Sequence, residues 1–383
     1  MTERLFDADS HLWSFTARVT ACREADGKYE VELDRTAFFP EGGGQCGDRG
    51  TLGGVRVLDT VERGGAILHI CEAPLPAGSE AAGEVDGALR FRNMQMHSGE
   101  HIVSGIVHRL FGYDNVGFHL AEQVTLDFSG ELSAEDIARV ELLANEAVWA
   151  NIPVTARYPS PEELAGLEYR SKLDLTENVR IVTIEGVDVC ACCAPHVSRT
   201  GEIGLIKIVD AMRHRGGMRL TMLAGKAAYL DYKRMCGQAG EVSAMLSAPR
   251  DALAAAVRRV LGALDETRKQ LTDAAFAAAR ARAEALPPTD GAVCLFESEA
   301  NPAVLRELVN LAVPKCAAAG VFTPCEGGFR YIIGSARVDL RAAAKAINAA
   351  LGGRGGGQPT MIQGTCSASE ADIRAFFESF PVG

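Results

Sequence analysis

Two pairs of residues whose side chains commonly bind metal ions lie far apart in the sequence. His97 and His101 occur in the segment MHSGEH, and Cys192 and His196 occur in CACCAPHVSRTGEIG. Two histidines four residues apart lie on one face of a helix, so both imidazoles can reach one cation. Thiolate sulfur and imidazole nitrogen together form a ligand set that zinc prefers. The sequence therefore predicts a Zn²⁺ site with these four side chains as ligands.

Neighbouring residues leave two alternatives open. Cys190 and Cys193 offer other thiolates and form a C-x-x-C pair, which is also typical of a redox pair or of packed thiols. We favour Cys192 as the ligand, with the other two as its neighbours. The segment HSGEH also fits the H-x-x-E-H pattern of inverzincin metallopeptidases, in which Glu100 would be the general base. Such a peptidase would require a downstream carboxylate ligand, so it is the weaker hypothesis.

A second candidate part of the site is the glycine-rich segment PEGGGQ at residues 40–45. Glycine lets the backbone come close to a substrate, and backbone N–H groups there can stabilise a developing negative oxygen. Gly43, Gly44 and Gln45 are therefore candidate catalytic residues, the last through its side-chain amide. Glu41 is a candidate to attract a substrate ammonium group. The alternative interpretation is a tight β turn that requires positive φ.

Composition limits the classes of protein to consider. A chain of 383 residues with 47% apolar residues is long enough for two or three folded domains. Its net charge of -11 argues against broad attraction to phosphate backbones, so a nucleic-acid partner must meet a local basic surface. The 11 cysteines and the start MTERLFDADS, which lacks a secretory pattern, predict reducing cytoplasm. No apolar run is long enough to predict a membrane span.

The elements that must position these residues follow from periodicity. Residues 11–90 alternate apolar and polar side chains in short runs, which predicts a small antiparallel β barrel or sandwich. From about residue 93 apolar residues recur at helical spacing up to Gly112, a candidate C-cap, so both histidines of MHSGEH fall on one helix. Residues 123–128 and 178–222 read as strands and 134–150 as an amphipathic helix. This pattern indicates an α+β fold.

The second half of the chain differs in amino-acid composition and in apolar periodicity. After Gly225 the sequence is rich in alanine, and an apolar seam predicts a helical hairpin or coiled-coil arm that ends at the prolines of ALPPTDG. The segments AVCLF and FRYIIGSA then read as strands and 339–351 as a helix, which indicates a separate α/β module. The predicted boundaries are 1–90, 91–224, 225–288 and 289–383. The seam consists of Leu253, Val257, Val260, Leu264 and Leu271.

Four motifs, in order along the chain, resemble the successive signatures of the editing region of alanyl-tRNA synthetase and of its free-standing relatives, the AlaX proteins. They are TAFFPEGGGQCGDRGTL (36–52), MHSGEH, CCAPHVSRTGEIGLIKI (192–208) and GGRGGGQPTMIQG (352–364). The likeness is greatest to the long form. It implies an N-terminal antiparallel β barrel, an α+β zinc editing domain, a helical coiled-coil arm and a C-terminal α/β module of the DHHA1 type. The zinc ligands of the family map onto His97, His101, Cys192 and His196.

The resemblance also implies an activity and partners. The expected reaction is hydrolysis, in trans, of the ester between serine or glycine and tRNA(Ala), without the charging reaction itself. In relatives the stretch around His119 lines the amino-acid pocket, so this residue is a candidate substrate contact. Arg354, in the glycine-rich tail, is a candidate tRNA contact. Arg215 and Arg219 are candidate tRNA contacts for a different reason, because they belong to the clearest concentration of basic residues in the sequence. The glycine-rich tail lacks the G-K-[ST] of a phosphate-binding P-loop, so nucleotide hydrolysis is not predicted. The C-terminal module or the arm is expected to form a homodimer. A tRNA-binding module with a structural zinc and no turnover is the remaining alternative.

Overall fold

The structure is a computed structural model that describes residues 2–171, 178–298 and 301–380. The chain divides into two compact units, residues 1–240 and 241–383. The secondary structure is a mixture of helices and several sheets, as the α+β prediction requires. Among the described residues, no helix combines the length and the apolar character that crossing a membrane requires.

The first unit begins with short strands that follow the alternating pattern of the sequence. The helix and strands before residue 90 are β1 (Glu3–Arg4), α1 (Leu5–Ala8), β2 (Ser14–Ala25), β3 (Lys28–Leu33), β4 (Arg35–Thr36), β5 (Gly50–Leu52), β6 (Val55–Arg63), β7 (Ala66–Cys71) and β8 (Glu80–Val85). Six of them pair antiparallel in the order β2–β3–β7–β6–β5–β8, and β8 pairs again with β2. Side chains such as Val19, Val31 and Leu52 form one buried apolar cluster between these strands.

A long buried helix and two antiparallel sheets make up the rest of the first unit. Its elements are α2 (Gly87–Phe111), β9 (Asn115–Leu120), β10 (Val124–Phe128), α3 (Ala134–Trp149), β11 (Val154–Arg157), α4 (Pro161–Ala165), β12 (Ile181–Ile184), β13 (Asp188–Ala191), β14 (Ile206–His214), β15 (Gly217–Ala224) and α5 (Lys226–Leu246), the last of which contains the boundary between the units. The sheets have the orders β14–β15–β10–β9 and β11–β12–β13. Apolar residues of α2, α3 and the larger sheet share one buried cluster.

Helix α2 is the central element of the first unit. Its predicted C-cap is confirmed, because Gly112 adopts the left-handed conformation with φ of 71° and its N–H bonds to the His108 carbonyl. The predicted start near residue 93 was too late, since the helix begins at Gly87, where Asp86 caps it by accepting a hydrogen bond from the Leu89 N–H. The early turns escaped prediction because the residue that they bury completely is charged, Arg90, rather than apolar.

Arg90 joins α2 to the segment that contains the glycine-rich loop. Its guanidinium is fully buried, donates to the Asp48 carboxylate over 2.7 Å and donates to the Ala37 carbonyl over 2.6 Å. The same carboxylate oxygen accepts from the Phe39 N–H. A buried charge is stable only when it is paired and hydrogen-bonded, as both partners are here. Asp48 therefore holds the chain that leads into and out of the loop.

The second unit contains a long helix and a five-stranded sheet. Its elements are α6 (Leu253–Glu284), β16 (Ala292–Phe296), α7 (Pro302–Ala312), β17 (Ala318–Cys325), β18 (Gly328–Gly334), α8 (Leu340–Leu351), β19 (Gly353–Gln358), β20 (Met361–Cys366) and α9 (Glu370–Glu378). The sheet order is β16–β17–β18–β20–β19, with one parallel pair, β16 and β17. The strands predicted at AVCLF and FRYIIGSA and the helix predicted near 339–351 are confirmed. The glycine-rich tail GGRGGGQ forms the exposed edge strand β19.

Candidate metal centre and cavity

The first histidine pair lies on the buried part of α2. His97 and His101 are each 2% exposed, and their ring centroids are 5.4 Å apart, as expected for residues one helical turn apart. The helix reaches this depth because apolar side chains cover the turns that follow the pair, among them Ile102 and Ile106. The sequence-based placement of both imidazoles on one helical face is therefore confirmed.

The second pair lies in the loop that follows β13. Arg180 holds this loop, since its guanidinium donates to the carbonyls of Cys192 over 3.2 Å and of Ala194 over 2.9 Å. The Ser10 hydroxyl donates to the His196 carbonyl over 2.7 Å. These bonds satisfy backbone carbonyls that a strand or helix would otherwise pair. The loop is held against α2 by the Val197 N–H, which donates to the Ser98 hydroxyl over 3.2 Å.

The two pairs meet. Ligand atoms of His97, His101, Cys192 and His196 all lie within 4.8 Å of one another. The Cys192 sulfur is 3.6 Å from His97 Nε2 and 3.3 Å from His196 Nε2. A tetrahedral zinc ion, with bonds of about 2.0–2.1 Å to nitrogen and about 2.3 Å to sulfur, separates its ligand atoms by roughly 3.3–3.7 Å. The donor set and its spacing therefore fit this ion.

Each histidine of the centre is oriented through its other ring nitrogen. The Nδ1 of His97 lies 3.0 Å from Gln45 Oε1, that of His101 2.9 Å from Asp188 Oδ2, and that of His196 3.0 Å from the Ser98 hydroxyl. Outer partners of this kind set the tautomer and direct Nε2 inward, toward a metal.

The electrostatics of the centre favour the ionisation state that a metal needs at Cys192 and His196, but not at His101. Burial alone would raise the pKa of the Cys192 thiol, but the surrounding imidazoles of His97, His196 and His101 outweigh it and hold that pKa well below its usual value. Burial lowers the pKa of His196 to about 3, so this imidazole is neutral. Burial would also lower the pKa of His101, but the nearby charges and hydrogen bonds, led by Cys190, raise it well above its usual value. Binding of a cation by His101 would therefore release a proton.

Asp188 connects the centre to a half-buried arginine, Arg170. Its carboxylate accepts from His101 and from two nitrogens of Arg170, over 2.7 Å and 2.9 Å. Burial would raise the pKa of Asp188, but the hydrogen bonds from His101 and Arg170 outweigh burial and lower it. Asp188 also forms a smaller group of potential ligands with His101 and Cys190, whose thiol has a pKa raised by burial.

A cavity of about 1310 Å³ opens beside the four ligands. Gly43 and Gly44 line it together with three of the ligands, His97, His101 and Cys192. Cys193 also lines this cavity, and burial raises the pKa of its thiol to about 11. Cys192 and its two neighbouring cysteines therefore lie around one cavity, with Cys192 alone in the four-ligand group.

The glycine-rich loop packs directly against the cavity wall. Gly42 and Gln45 exchange backbone hydrogen bonds of 3.0 Å, and Gly44 has φ of 81°. A methyl group on Gly44 would lie 2.6 Å from the Phe118 ring, so only glycine fits there. The Phe118 ring in turn packs on His97, with centroids 4.7 Å apart. The loop thus contacts the metal centre through one aromatic side chain.

Two predicted contacts lie away from the cavity lining. Glu41 is exposed at the start of the loop. His119 is exposed on the face of β9 opposite to Phe118, where it lies across from Thr125 on β10. Side chains alternate between the two faces of a strand, so its neighbour Phe118 forms the wall instead. Gln45 is buried behind the loop, and its side-chain oxygen is bonded to His97.

The predicted basic contacts have different surroundings. Arg215 is exposed in the turn between β14 and β15. Arg219 is half-buried and pairs with both oxygens of Asp127, over 2.6 Å and 2.7 Å, so its charge is largely neutralised. Arg354, in the second unit, is exposed on β19 and lines a small surface cavity.

Several residues of the centre had no signal in the sequence. Asp188 and Arg170 belong to no recognisable motif, and their pairing follows from the parallel backbone bridge between Arg170 and Cys190 of β13. Ser98 lies inside MHSGEH, where a small polar residue next to a ligand was the only indication of a supporting role. Such partners are found by folding the chain, because the residues they support are distant in sequence.

Comparison with known proteins adds a further finding. Residues 179–220 match the family described as the second additional domain of threonyl- and alanyl-tRNA synthetases. This segment contains β12, β13, the loop with Cys192 and His196, β14 and the first half of β15. The chain is 33% identical over 383 residues to an alanine–tRNA ligase from Pyrobaculum neutrophilum, a match that covers 95% of this chain and 42% of that protein.

Two similar proteins are named for editing. The chain is 36% identical over 219 residues to the alanyl-tRNA editing protein AlaX-L of Pyrococcus horikoshii, which covers 55% of this chain and 54% of that protein. It is 30% identical over 332 residues to the alanyl-tRNA editing protein Aarsd1 of Mus musculus, with 80% of each protein covered. The chain thus spans about half the length of the ligase and of AlaX-L, but most of Aarsd1.

Proposed function

This chain belongs to the family of alanyl-tRNA editing proteins, and from that premise we propose that it hydrolyses the ester linking a wrong amino acid to tRNA(Ala). The amino acids we expect are serine and glycine. A synthetic site for alanine cannot easily exclude a residue that is smaller or that adds one hydroxyl, so a second, hydrolytic site supplies the missing discrimination. The alanyl-tRNA editing proteins of Pyrococcus horikoshii and Mus musculus support this assignment.

The observation that carries the proposal is the convergence of His97, His101, Cys192 and His196 beside a glycine-lined cavity. We propose that these four side chains hold Zn²⁺. When bound, the ion would polarise the ester carbonyl or anchor the substrate, as zinc does in other hydrolytic sites. Four protein ligands fill a tetrahedral shell, so we also expect the ion to tie the Cys192 loop to α2.

The residues of the chain itself would orient the ester. Gly43 and Gly44 line the cavity, and the absence of side chains at both positions leaves their peptide groups accessible to a substrate. We propose that these peptides stabilise negative charge on the ester oxygen. Gln45 acts through His97, whose Nδ1–H donates to the amide oxygen and so holds the ring orientation. Phe118 closes the same side of the site, which restricts water and positions the loop.

We propose a four-part organisation around this reaction. An N-terminal barrel would carry the glycine-rich loop (1–90), followed by the zinc editing domain (91–224), a helical arm (225–288) and a C-terminal DHHA1-like domain (289–383). Exposed Arg215 and Arg354 are the better candidates for tRNA phosphates, because Arg219 is paired with Asp127. The arm or the C-terminal domain would form a homodimer, and the setting would be cytoplasmic.

The proposal is tested by following ester loss from Ser-, Gly- and Ala-tRNA(Ala) in the presence of the purified protein. We expect the serine or glycine ester to be hydrolysed much faster than the alanine ester. Elemental analysis should find about one zinc per chain. His97→Ala should lower both the zinc content and the rate, and circular dichroism would verify that the variant is folded.

Other outcomes point to other functions. Zinc at full occupancy with no loss of any ester would identify a tRNA-binding module in which the metal is structural. Cleavage of a peptide substrate would favour the metallopeptidase hypothesis, in which Glu100 is the base. A fully active protein without zinc would contradict the assignment of the metal to the reaction.

A further inference from the structure

A buried polar cluster of Glu100, Ser104 and Asn115 lies next to the metal centre and has no part in the mechanism above. Each residue is at most 6% exposed. Glu100 Oε1 accepts from the Ser104 hydroxyl over 2.7 Å and from the Asn115 amide over 2.6 Å. Asn115 also donates to the Ser104 hydroxyl over 3.0 Å. Both donors converge on one carboxylate oxygen, which fixes the orientation of the Glu100 side chain.

The Glu100 carboxylate faces the reaction centre. Glu100 and Asn115 both line the cavity that contains the ligands. The second oxygen, Oε2, lies 3.8 Å from His101 Nε2, the nitrogen that faces the proposed ion. A molecule whose carbonyl lies at the centre therefore places its neighbouring atoms within reach of this carboxylate.

The other carboxylates of the cavity are less well placed. Among the described residues that line it, the acidic ones are Glu100, Asp114, Glu168 and Asp188. Asp188 contacts the outer nitrogen of His101, Nδ1, rather than the inward-facing Nε2. The side chain of Asp114 is 71% exposed, and Glu168 is also exposed. Glu100 is thus the buried carboxylate of this lining that has an oxygen near the inward-facing Nε2 of His101.

An aminoacyl ester carries such a group. Its α-ammonium is attached to the carbon next to the ester carbonyl, so the two stay within a few ångströms of each other in any bound conformation. We propose that Glu100 binds the free α-ammonium of the substrate and that the site thereby selects esters of unblocked amino acids over N-acylated ones. This inference rests on the proposed function and names the substrate class within it.

Physical chemistry indicates the size of the effect. A hydrogen bond between an ammonium and a buried carboxylate is charge-assisted and stronger than a neutral one. An N-acylated ester offers no positive charge, so the carboxylate would face a neutral amide instead. We expect a preference of roughly 10- to 100-fold for the free amine, the range typical of hydrogen bonds to charged groups.

The test compares seryl-tRNA(Ala) with N-acetylseryl-tRNA(Ala). Wild-type protein should hydrolyse the free-amine substrate faster by the factor above. Glu100→Gln should lower that rate by a similar factor and leave the acetylated substrate unchanged, which brings the ratio near one. Asp114→Asn, which removes the same charge from an exposed position of the cavity, is the matched control and should behave as wild type.

A binding measurement makes the test independent of turnover. Calorimetry would compare a non-hydrolysable serine amide of 3'-amino-3'-deoxyadenosine with its N-acetyl derivative. The free amine should bind more tightly to the wild type, and Glu100→Gln should remove that advantage while keeping full zinc content. Binding of the analogue tests the role of Glu100 even if the protein hydrolyses no ester. The absence of hydrolysis would contradict only the proposed function.

Three results would overturn the inference. Equal use of both substrates by the wild type would show that the amine is not read. Equal losses on both substrates in Glu100→Gln would assign the carboxylate to the hydrolytic step or to the support of β9. Loss of zinc from Glu100→Gln would make the residue part of the metal centre instead.

Discussion

The two longest helices of the protein illustrate opposite uses of the same secondary structure. Helix α2 buries sixteen of its 25 residues, including polar ones such as His97, Ser98 and Glu100. Helix α6 has 32 residues, of which only three alanines are buried. Its apolar residues are exposed instead, with Leu264 at 43% and Leu271 at 69%.

The buried helix α2 can hold reactive side chains in fixed positions, whereas the exposed helix α6 does not hold its side chains in this way. Polar side chains inside a protein are stable only if each finds a partner, so every buried polar residue of α2 constrains its neighbours. The result is a rigid centre in which small changes have large effects. An exposed helix such as α6 has few partners to lose, and its sequence is free to vary.

We expect the largest loss of stability at one of two glycines that have almost the same φ. Gly44 has φ of 81° and would place a methyl group 2.6 Å from Phe118, whereas Gly54 has φ of 80° and open space around it. Gly54→Ala should cost about 1 kcal/mol of unfolding free energy from backbone strain alone. Gly44→Ala adds overpacking and should cost roughly 2–4 kcal/mol. Denaturant unfolding measures both, and equal losses would show that the loop is not packed as described.

A charge change near the metal should be the next largest effect. Asp188→Asn keeps the size of the side chain but removes the carboxylate that orients His101 and pairs with Arg170. We expect zinc affinity to fall about 10- to 100-fold, as is typical when an outer partner of a ligand is lost. Competition with a chelator measures the affinity. Asp210→Asn, on the exposed part of β14, is the control and should leave it unchanged.

A buried histidine far from the metal ligands in sequence should make stability depend on pH. His69 is fully buried, with one ring nitrogen 2.8 Å from the Thr36 hydroxyl and the other 3.0 Å from the Val31 carbonyl. Burial lowers its pKa to about 4, below the usual value of 6.5. Between those values the unfolded chain binds a proton that the folded protein does not, so stability falls as the pH falls.

The expected size follows from the same shift. From pH 7.5 to pH 5 the loss attributable to His69 should approach about 2 kcal/mol. His69→Gln removes the titrating group, so its unfolding free energy should fall by that much less over the same range. Urea unfolding at both pH values provides the comparison. Identical pH dependence in the two proteins would mean that His69 is not held neutral by burial.

Sequence reasoning identified the four side chains that converge better than it identified the residues around them. The ligand pairs were recognisable because His97 with His101, and Cys192 with His196, are close in sequence and have few other uses at that spacing. It was harder to predict which face of a strand a side chain occupies, since a shift of one residue exchanges Phe118 for His119 at the cavity wall. The pair of Asp188 and Arg170 could not be predicted, because nothing local marks two residues that meet only when the backbone of Arg170 pairs with β13.

In the fold, too, local sequence patterns predicted the elements, whereas contacts between distant residues were missed. Alternation predicted the strands before residue 90, and the alanine-rich segment after Gly225 predicted helices that α5 and α6 confirm. The start of α2 was missed because Arg90 is buried through its bonds to Asp48 and Ala37 and therefore does not follow the apolar period. Periodicity detects burial of apolar residues, whereas a buried ion pair leaves no such pattern.

The smallest expected effect tests the exposed side of the comparison. Leu271→Ala in α6 should change the unfolding free energy of the monomer by less than about 0.5 kcal/mol, because the side chain is 69% exposed. Leu305→Ala in α7 makes the same chemical change at a site that is 1% exposed and should cost about 2–5 kcal/mol. Thermal unfolding at low protein concentration measures both variants. A loss at Leu271 that grows with concentration would show that a second copy covers α6, and the contrast with α2 would then hold only for the monomer.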